Sequence, residues 1–239
     1  MLFYLDILKD HSGPLEKGAK VLDFGAGAGE FIRDLKNLGY DAYGCDIITY
    51  DQPLVDQSYL KLINQDPYRI PYDDNSFDAV FSNMVFEHVQ NYDEALKEIH
   101  RVLKPGGRML HIFPPRLSFI ELHILSPFAA AFHPKWYLSL WAKAGVRNSY
   151  QTELSAKDTV ESNMRFLDDG VNYLPRTEIQ KHFETYFSNF SFVKKLILKY
   201  GTYGHIQRFR KFLLAMPFSG TLYDSFVNQV VYAEKSRAI

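Results

Sequence analysis

The chain has 239 residues, 46% of them hydrophobic, and 27 Lys and Arg against 28 Asp and Glu. That suits one large domain, or a core with a sizeable insertion. A single cysteine, Cys45, excludes an internal disulfide framework and fits a cytoplasmic protein.

Met1 to Lys9 contains Asp6 and no long apolar core, so it does not read as a signal peptide. Its apolar residues, Leu2, Phe3, Leu5, Ile7 and Leu8, suit one short helix. Next, an apolar strand (Val21, Leu22) ends in Asp23, glycines follow at 25, 27 and 29, and a helix pattern over 30–38 is closed by Gly39. Glycines let a backbone turn sharply and let a ligand approach without meeting Cβ atoms, so this unit predicts a cradle for a nucleotide-like ligand. A dinucleotide fingerprint needs a third glycine where Glu30 stands, and a phosphate-binding loop needs a Lys-Ser/Thr pair that is missing. What is present is D-x-G-x-G-x-G. The plainer alternative is that Asp23 caps the helix and the glycines only make a tight turn.

A second strand, Asp41 to Cys45, ends in Asp46, an acid placed to accept both ribose hydroxyls of such a ligand. Then come Asn64-Gln65-Asp66-Pro67, the segment Pro71-Tyr72-Asp73-Asp74-Asn75-Ser76-Phe77-Asp78-Ala79-Val80, the run Phe86-Glu87-His88-Val89, and Ile99 to Ile112 through Lys104-Pro105-Gly106-Gly107.

These four motifs, in this order over roughly residues 20–114, resemble the class I methyltransferases that use S-adenosylmethionine, of the small-molecule, methyltransferase domain 11-like type. The resemblance implies a Rossmann-like α/β fold: a seven-stranded, mostly parallel sheet of order 3-2-1-4-5-7-6, helices on both faces, and a helical insertion after strand five. It implies S-adenosylmethionine as cofactor, S-adenosylhomocysteine as product, and a cofactor-binding set of Asp23, Gly25, Ala26, Gly27, Gly29, Asp46, Ile47, Asp66, Pro67 and Asn83. In the family, an Asp in the position of Asp66 holds the adenine amino group, and the Phe86-Glu87-His88-Val89 run resembles the start of the helix behind strand four. Charge explains the pattern. A pyrophosphate wants N–H donors at a helix N-terminus, whereas an ammonium wants a carboxylate such as Asp23.

The division expected is a cofactor half (1–115), a helical insertion or substrate cap (116–173) and a completion of the same domain (174–239). Helices are predicted over 135–144, about 157–167, and from Thr177, as N-cap, to Phe187. Strand six is predicted over Ser191 to Leu198 and an antiparallel strand seven over Val227 to Glu234. Family members often carry one or two helices before strand one that fold over the site. Only about 20 residues precede Val21 here, so the lid is expected from the insertion. The apolar tract 117–132 is broken by Glu121, His123 and Pro127 and is a poor transmembrane candidate. The aromatic stretch 117–141 is read first as a subdomain core, then as a pocket wall, then as a peripheral membrane contact.

Residues 1–113 hold 11 Lys and Arg against 18 Asp and Glu, and residues 114–239 hold 16 against 10. A basic second half suits an anionic acceptor, although Lys194, Lys195, Lys199, Arg208, Arg210 and Lys211 also suit a solvated face. Methyl transfer is mainly a matter of alignment, and an alcohol acceptor also needs a general base. His88 is the first candidate base; His111 is equally a core histidine, and structural roles are expected for His123, His133 and Glu87. No Cys/His cluster has metal-ligand spacing. Strand four is followed by Ser82-Asn83-Met84-Val85-Phe86 without the paired prolines typical of amino-methyltransferases of DNA and protein. A small-molecule, glycan or lipid-precursor acceptor, methylated on oxygen, is therefore expected. The alternatives are a non-catalytic binding or scaffold protein on this fold, a methyltransferase acting on nucleic acid or protein, and a nicotinamide-dependent oxidoreductase.

Overall fold

In the computed structural model the described residues are 3–194, 199–200, 222 and 225–237. The elements that carry the site are α1 (Phe3–Ser12), β1 (Lys20–Phe24), α2 (Glu30–Asn37), β2 (Asp41–Asp46), β3 (Leu60–Leu62), β4 (Phe77–Asn83), α3 (Tyr92–Val102) and β5 (Leu103–Phe113). They are followed by α4 (Lys135–Lys143), α5 (Ala156–Arg165), α6 (Arg176–Tyr186), β6 (Ser188–Phe192) and β7 (Gln229–Glu234). The seven strands form one sheet of order β6-β7-β5-β4-β1-β2-β3. β7 runs antiparallel to both β5 and β6, and the other neighbours are parallel. This is the strand order expected from the sequence.

Parallel strands buried on both faces read as apolar runs rather than alternating ones. Along β1 and β4, Val21, Ala79 and Phe81 point into a core shared with α1 and α2, where Tyr4, Ile7, Leu8, Phe31, Ile32 and Leu35 pack. Leu22, Phe24, Phe77 and Val80 point the other way, against Leu96 and Ile99 of α3 and Ile179 and Phe183 of α6. α2 ends in a Schellman motif: Gly39 N–H donates to Lys36 O (2.9 Å) and Tyr40 N–H to Leu35 O (3.1 Å), with Gly39 at φ +84°. α3 begins at Asn91, whose side chain accepts from Glu94 N–H. The Phe86 stretch expected to start this helix is instead a short 3₁₀ turn, Phe86–His88.

Several boundaries differ from expectation. Proline occupies the N-cap position of α6 at Pro175, so Thr177 lies within the first turn. β6 begins at Ser188, directly after α6, because pairing with Glu234 starts there. Positions 195–198 of the expected strand six lie outside the described residues, as do Lys195, Arg208, Arg210 and Lys211 of the basic group. Lys199 bonds Asp10 at 2.6 Å on the surface. The insertion carries an apolar cluster of its own, centred on Ile124, Leu138, Ala142, Val160 and Leu167. Among the described residues, no helix is long and apolar enough to cross a membrane.

Candidate active site

Strands β1, β2 and β4 all end at the glycine loop side of the sheet, and this edge collects the site. Gly25 and Ala26 N–H both donate to the Cys45 carbonyl (2.8 and 3.1 Å), and Gly29 N–H donates to Ala26 O (2.9 Å). Gly27 N–H donates to Asp46 Oδ2 (2.8 Å). Four of the loop's donors are therefore committed within the protein, so it offers shape more than an anion-binding row of N–H groups. Gly25 has φ +78°, and a Cβ there would run into the Val85 side chain. Gly44, opposite in β2, leaves no room either: a Cβ would meet Ala26 Cβ at 2.6 Å. This close approach of β2 to the loop had a signal in the sequence only as an isolated glycine inside a strand.

Asp23 lies in this edge at 5% exposure. Burial, helped by the nearby charge of Asp46, raises its carboxyl to about 7. It does not cap α2, whose N-cap is Gly29 without a side-chain bond. Asp46 is bound differently: Oδ1 accepts from Ile47 N–H (2.7 Å) and Ile48 N–H (3.3 Å), while Oδ2 takes Gly27. An ionised carboxylate has about four lone-pair positions, so most of its capacity organises the loop. Cys45, fully buried, has its thiol pushed well up by burial and is a packing residue.

Two cavities meet at Gly25. One, of about 280 Å³, is lined by Asp46, Ile47, Ile63, Gln65, Tyr68 and Val85, with His88 and Glu94 also on its wall. The other, of about 200 Å³, is bordered by Asp23, Gly27, Glu30, Phe31 and Asn83. The structure thus brings together Asp23, Gly25, Ala26, Gly27, Asp46, Ile47, Asn83 and His88 around the two cavities, with Gly29 closing the loop into α2. It does not bring Asp66 and Pro67 there. Both are exposed in the turn of a small hairpin that pairs Asn64–Gln65 with Tyr68–Arg69, and the neighbours Gln65 and Tyr68 line the cavity instead.

His88 Nδ1 donates to the Gly170 carbonyl at 2.9 Å. A carbonyl only accepts, so Nδ1 carries the proton and Nε2 is the proton-accepting nitrogen of the neutral ring. Around it lies a group that sequence spacing did not reveal, because its members come from residues 87, 121, 123 and 173. Glu121 Oε1 accepts from His123 Nδ1 (2.6 Å) and the Tyr173 hydroxyl (2.8 Å), and Oε2 from His123 and Ile124 N–H (2.9 and 2.8 Å). Burial pushes the Glu121 carboxyl up, but these bonds outweigh it and hold it below its usual range. The Glu121 bond raises His123 in turn. Glu87 is 1% exposed, its carboxyl oxygens find no hydrogen-bond partner among the described residues, and burial lifts it to about 7. His111 is a core residue: Nδ1 meets Ser82 Oγ at 2.7 Å, and burial lowers the ring to about 3. His133 Nδ1 sits on the Ala129 carbonyl (2.7 Å). Among the described residues, no group of three or more His, Cys, Asp or Glu side chains could hold a metal ion.

The family model described as "Methyltransferase domain" matches residues 22–111. The match covers 22–111 of the chain's 239 residues and is to a methyltransferase domain. This domain is 34% identical over 108 residues to a demethylmenaquinone methyltransferase of Deinococcus radiodurans, covering 41% of this chain and 45% of that protein. It is 27% identical over 104 residues to a sterol 4-C-methyltransferase of Caenorhabditis elegans, covering 40% and 31% respectively. The chain thus spans less than half the length of each of these relatives. The methyltransferase fold extends further: phosphoethanolamine N-methyltransferase 2 of Haemonchus contortus, solved with phosphomonomethylethanolamine and S-adenosylhomocysteine, superposes over 98% of this chain and 52% of that one (TM-score 0.54, 19% identity). The sheet shares its fold with that enzyme.

Proposed function

We propose that this chain transfers a methyl group from S-adenosylmethionine to a small-molecule, glycan or lipid-precursor acceptor, with oxygen as the acceptor atom. One observation carries the cofactor reading: Asp23, a buried carboxyl with no cation bonded to it among the described residues, stands beside a glycine loop with four of its N–H groups already used. A phosphate ligand fits such an edge badly; an ammonium supplies the missing charge. Asp23 and Asn83 would hold the amino-acid end, Asp46 a ribose hydroxyl through its remaining lone pair, and Ile47, Ile63 and Val85 the adenine. The cavity lining favours Gln65 and Tyr68 over Asp66 and Pro67 as neighbours of the base. When bound, the cofactor supplies an electrophilic methyl on a sulfonium that departs as a neutral thioether.

The protein's share is alignment and exclusion of water, worth several powers of ten in rate. For a hydroxyl acceptor, His88 Nε2 takes the proton, its ring held by the Gly170 carbonyl. The end of the insertion is stitched to the same segment, since Asn172 N–H donates to Glu87 O (2.6 Å) and Asn172 Nδ2 to Val89 O (3.0 Å). That stitching supports reading the insertion 116–173 as the cap over the acceptor. A single buried cysteine supports the cytoplasm as the compartment.

The test is radiolabelled methyl transfer into separated pools of small metabolites, lipids, protein and nucleic acid. Label in the metabolite or lipid pool, lost on alkaline release if an ester forms and retained if an ether forms, supports the reading. Label confined to protein or nucleic acid would overturn it.

A further inference from the structure

Seventeen large hydrophobic residues are exposed among the described residues, and nine of them lie between Leu117 and Leu140. Scattered apolar residues are ordinary on a surface, whereas a gathered patch marks an interaction site. These are gathered. Phe119 packs edge-on to Phe128 (5.3 Å between ring centres), Phe132 N–H donates to Phe128 O (3.0 Å), and the Phe132 ring meets Trp136 at 5.9 Å. Trp136 and Leu140, 61% and 58% exposed, are one turn apart on α4, whose opposite side buries Leu138 and Ala142. Leu122 extends the strip at 55% exposure.

Its charge is one-sided. From Arg116 to Thr152 the chain's only acid is Glu121, which is buried and bonded to His123, Tyr173 and Ile124. Arg116, Lys135 and Lys143 are exposed around the strip. We propose that the outer face of residues 117–143 docks in the plane of a bilayer surface that carries anionic lipid. A nine-residue helix is far too short to span a bilayer. An apolar strip with an indole and basic flanks suits interfacial binding; the exposed carboxylate of Asp168 stands beside it, 3.8 Å from His133 Nε2. A second copy is the poorer occupant. A two-fold interface sets a patch against itself, so Arg116, Lys135 and Lys143 would face their own kind, with no exposed acid in the 116–152 stretch to pair with them. The proposal stands apart from the methyl-transfer reading and needs no cofactor.

Flotation of the full chain with vesicles of phosphatidylcholine, with and without phosphatidylglycerol, tests it. The chain should float with the anionic vesicles, bind the neutral ones at least about ten-fold less, and be released as salt screens the lysines. Trp136→Ser with Leu140→Ser should weaken binding by at least about ten-fold at unchanged thermal midpoint, since both side chains are exposed. Leu62→Ser, an equally exposed leucine on the edge strand, should bind as the native chain does. No flotation, or equal flotation of the double variant, overturns the proposal. A concentration-dependent dimer in size exclusion that the double variant abolishes would assign the face to a second copy and overturn it equally.

Discussion

His88 and His123 meet edge to face with their ring centres 5.0 Å apart, and each has its Nδ1 engaged by an acceptor: Gly170 O for His88 and the Glu121 carboxylate for His123. The two rings come from different parts of the chain, one after β4 and one from the insertion. Their Nε2 atoms are thereby positioned by groups that the insertion itself supplies, so the proposed base and the proposed cap would be one construction.

His88→Ala should lower the turnover number for a hydroxyl acceptor by about 10²–10⁴ while leaving S-adenosylhomocysteine affinity within a few-fold of native. The pair of measurements separates proton transfer from cofactor binding. A turnover number within ten-fold of native would mean that the acceptor needs no base.

Asp23 makes cofactor affinity depend on pH. Its carboxyl titrates near 7, and an ammonium binds only the ionised form. Affinity should therefore be about ten-fold lower at pH 6 than at pH 8, and Asp23→Asn should bind weakly at both. The free protein should show the opposite sign. A carboxyl raised on folding holds its proton more tightly in the native state, so stability is greatest below the ordinary carboxyl value and is lost as pH rises towards 7. Glu87, also raised to about 7, adds to this. The thermal midpoint of the free protein should fall from pH 5 to pH 7, and the cofactor should restore it.

Gly25→Ala and Gly13→Ala should part company. Both glycines have positive φ, +78° and +95°, but a Cβ at 13 meets nothing within 4 Å whereas one at 25 enters the Val85 side chain. Each variant should lose about 1–2 kcal/mol from backbone strain, measured by denaturant unfolding. Only Gly25→Ala should also lose cofactor binding.

Glu121→Gln should lower the titration midpoint of the His123 ring, followed by the nuclear magnetic resonance signal of its Cε1 proton, because the carboxylate is what raises it. The native pair contributes stability below the ordinary histidine value and loses it as pH rises through the raised one. A midpoint unchanged by the substitution would show that His123 does not depend on the pair.

The cofactor edge was legible because its physics is local. Asp23, the alternating glycines and Asp46 lie at strand ends, where a sheet of parallel strands binds its ligand, and the order of elements fixed the sheet. What stayed hidden is non-local. Glu121, His123 and Tyr173 meet only when the insertion folds back on the segment after β4, and no spacing in the chain records it. Gly44 reads as a weak strand residue until Ala26 and Ile32 are found against it. Asp66 shares its motif with Gln65, but the hairpin turn sends Asp66 to solvent and leaves Gln65 on the cavity. The Asn91 cap has a local signal, Asn three residues before Glu94, which the reading of the Phe86 run as the helix start passed over.

The most direct measurement is calorimetric titration with S-adenosylmethionine and S-adenosylhomocysteine, with NAD as the control and Asp46→Ala as the variant. Micromolar binding of both adenosyl ligands, none of NAD, and loss of binding in the variant is the expected result. Tight binding of NAD, or no binding of either adenosyl ligand to the native chain, would contradict the cofactor site described above.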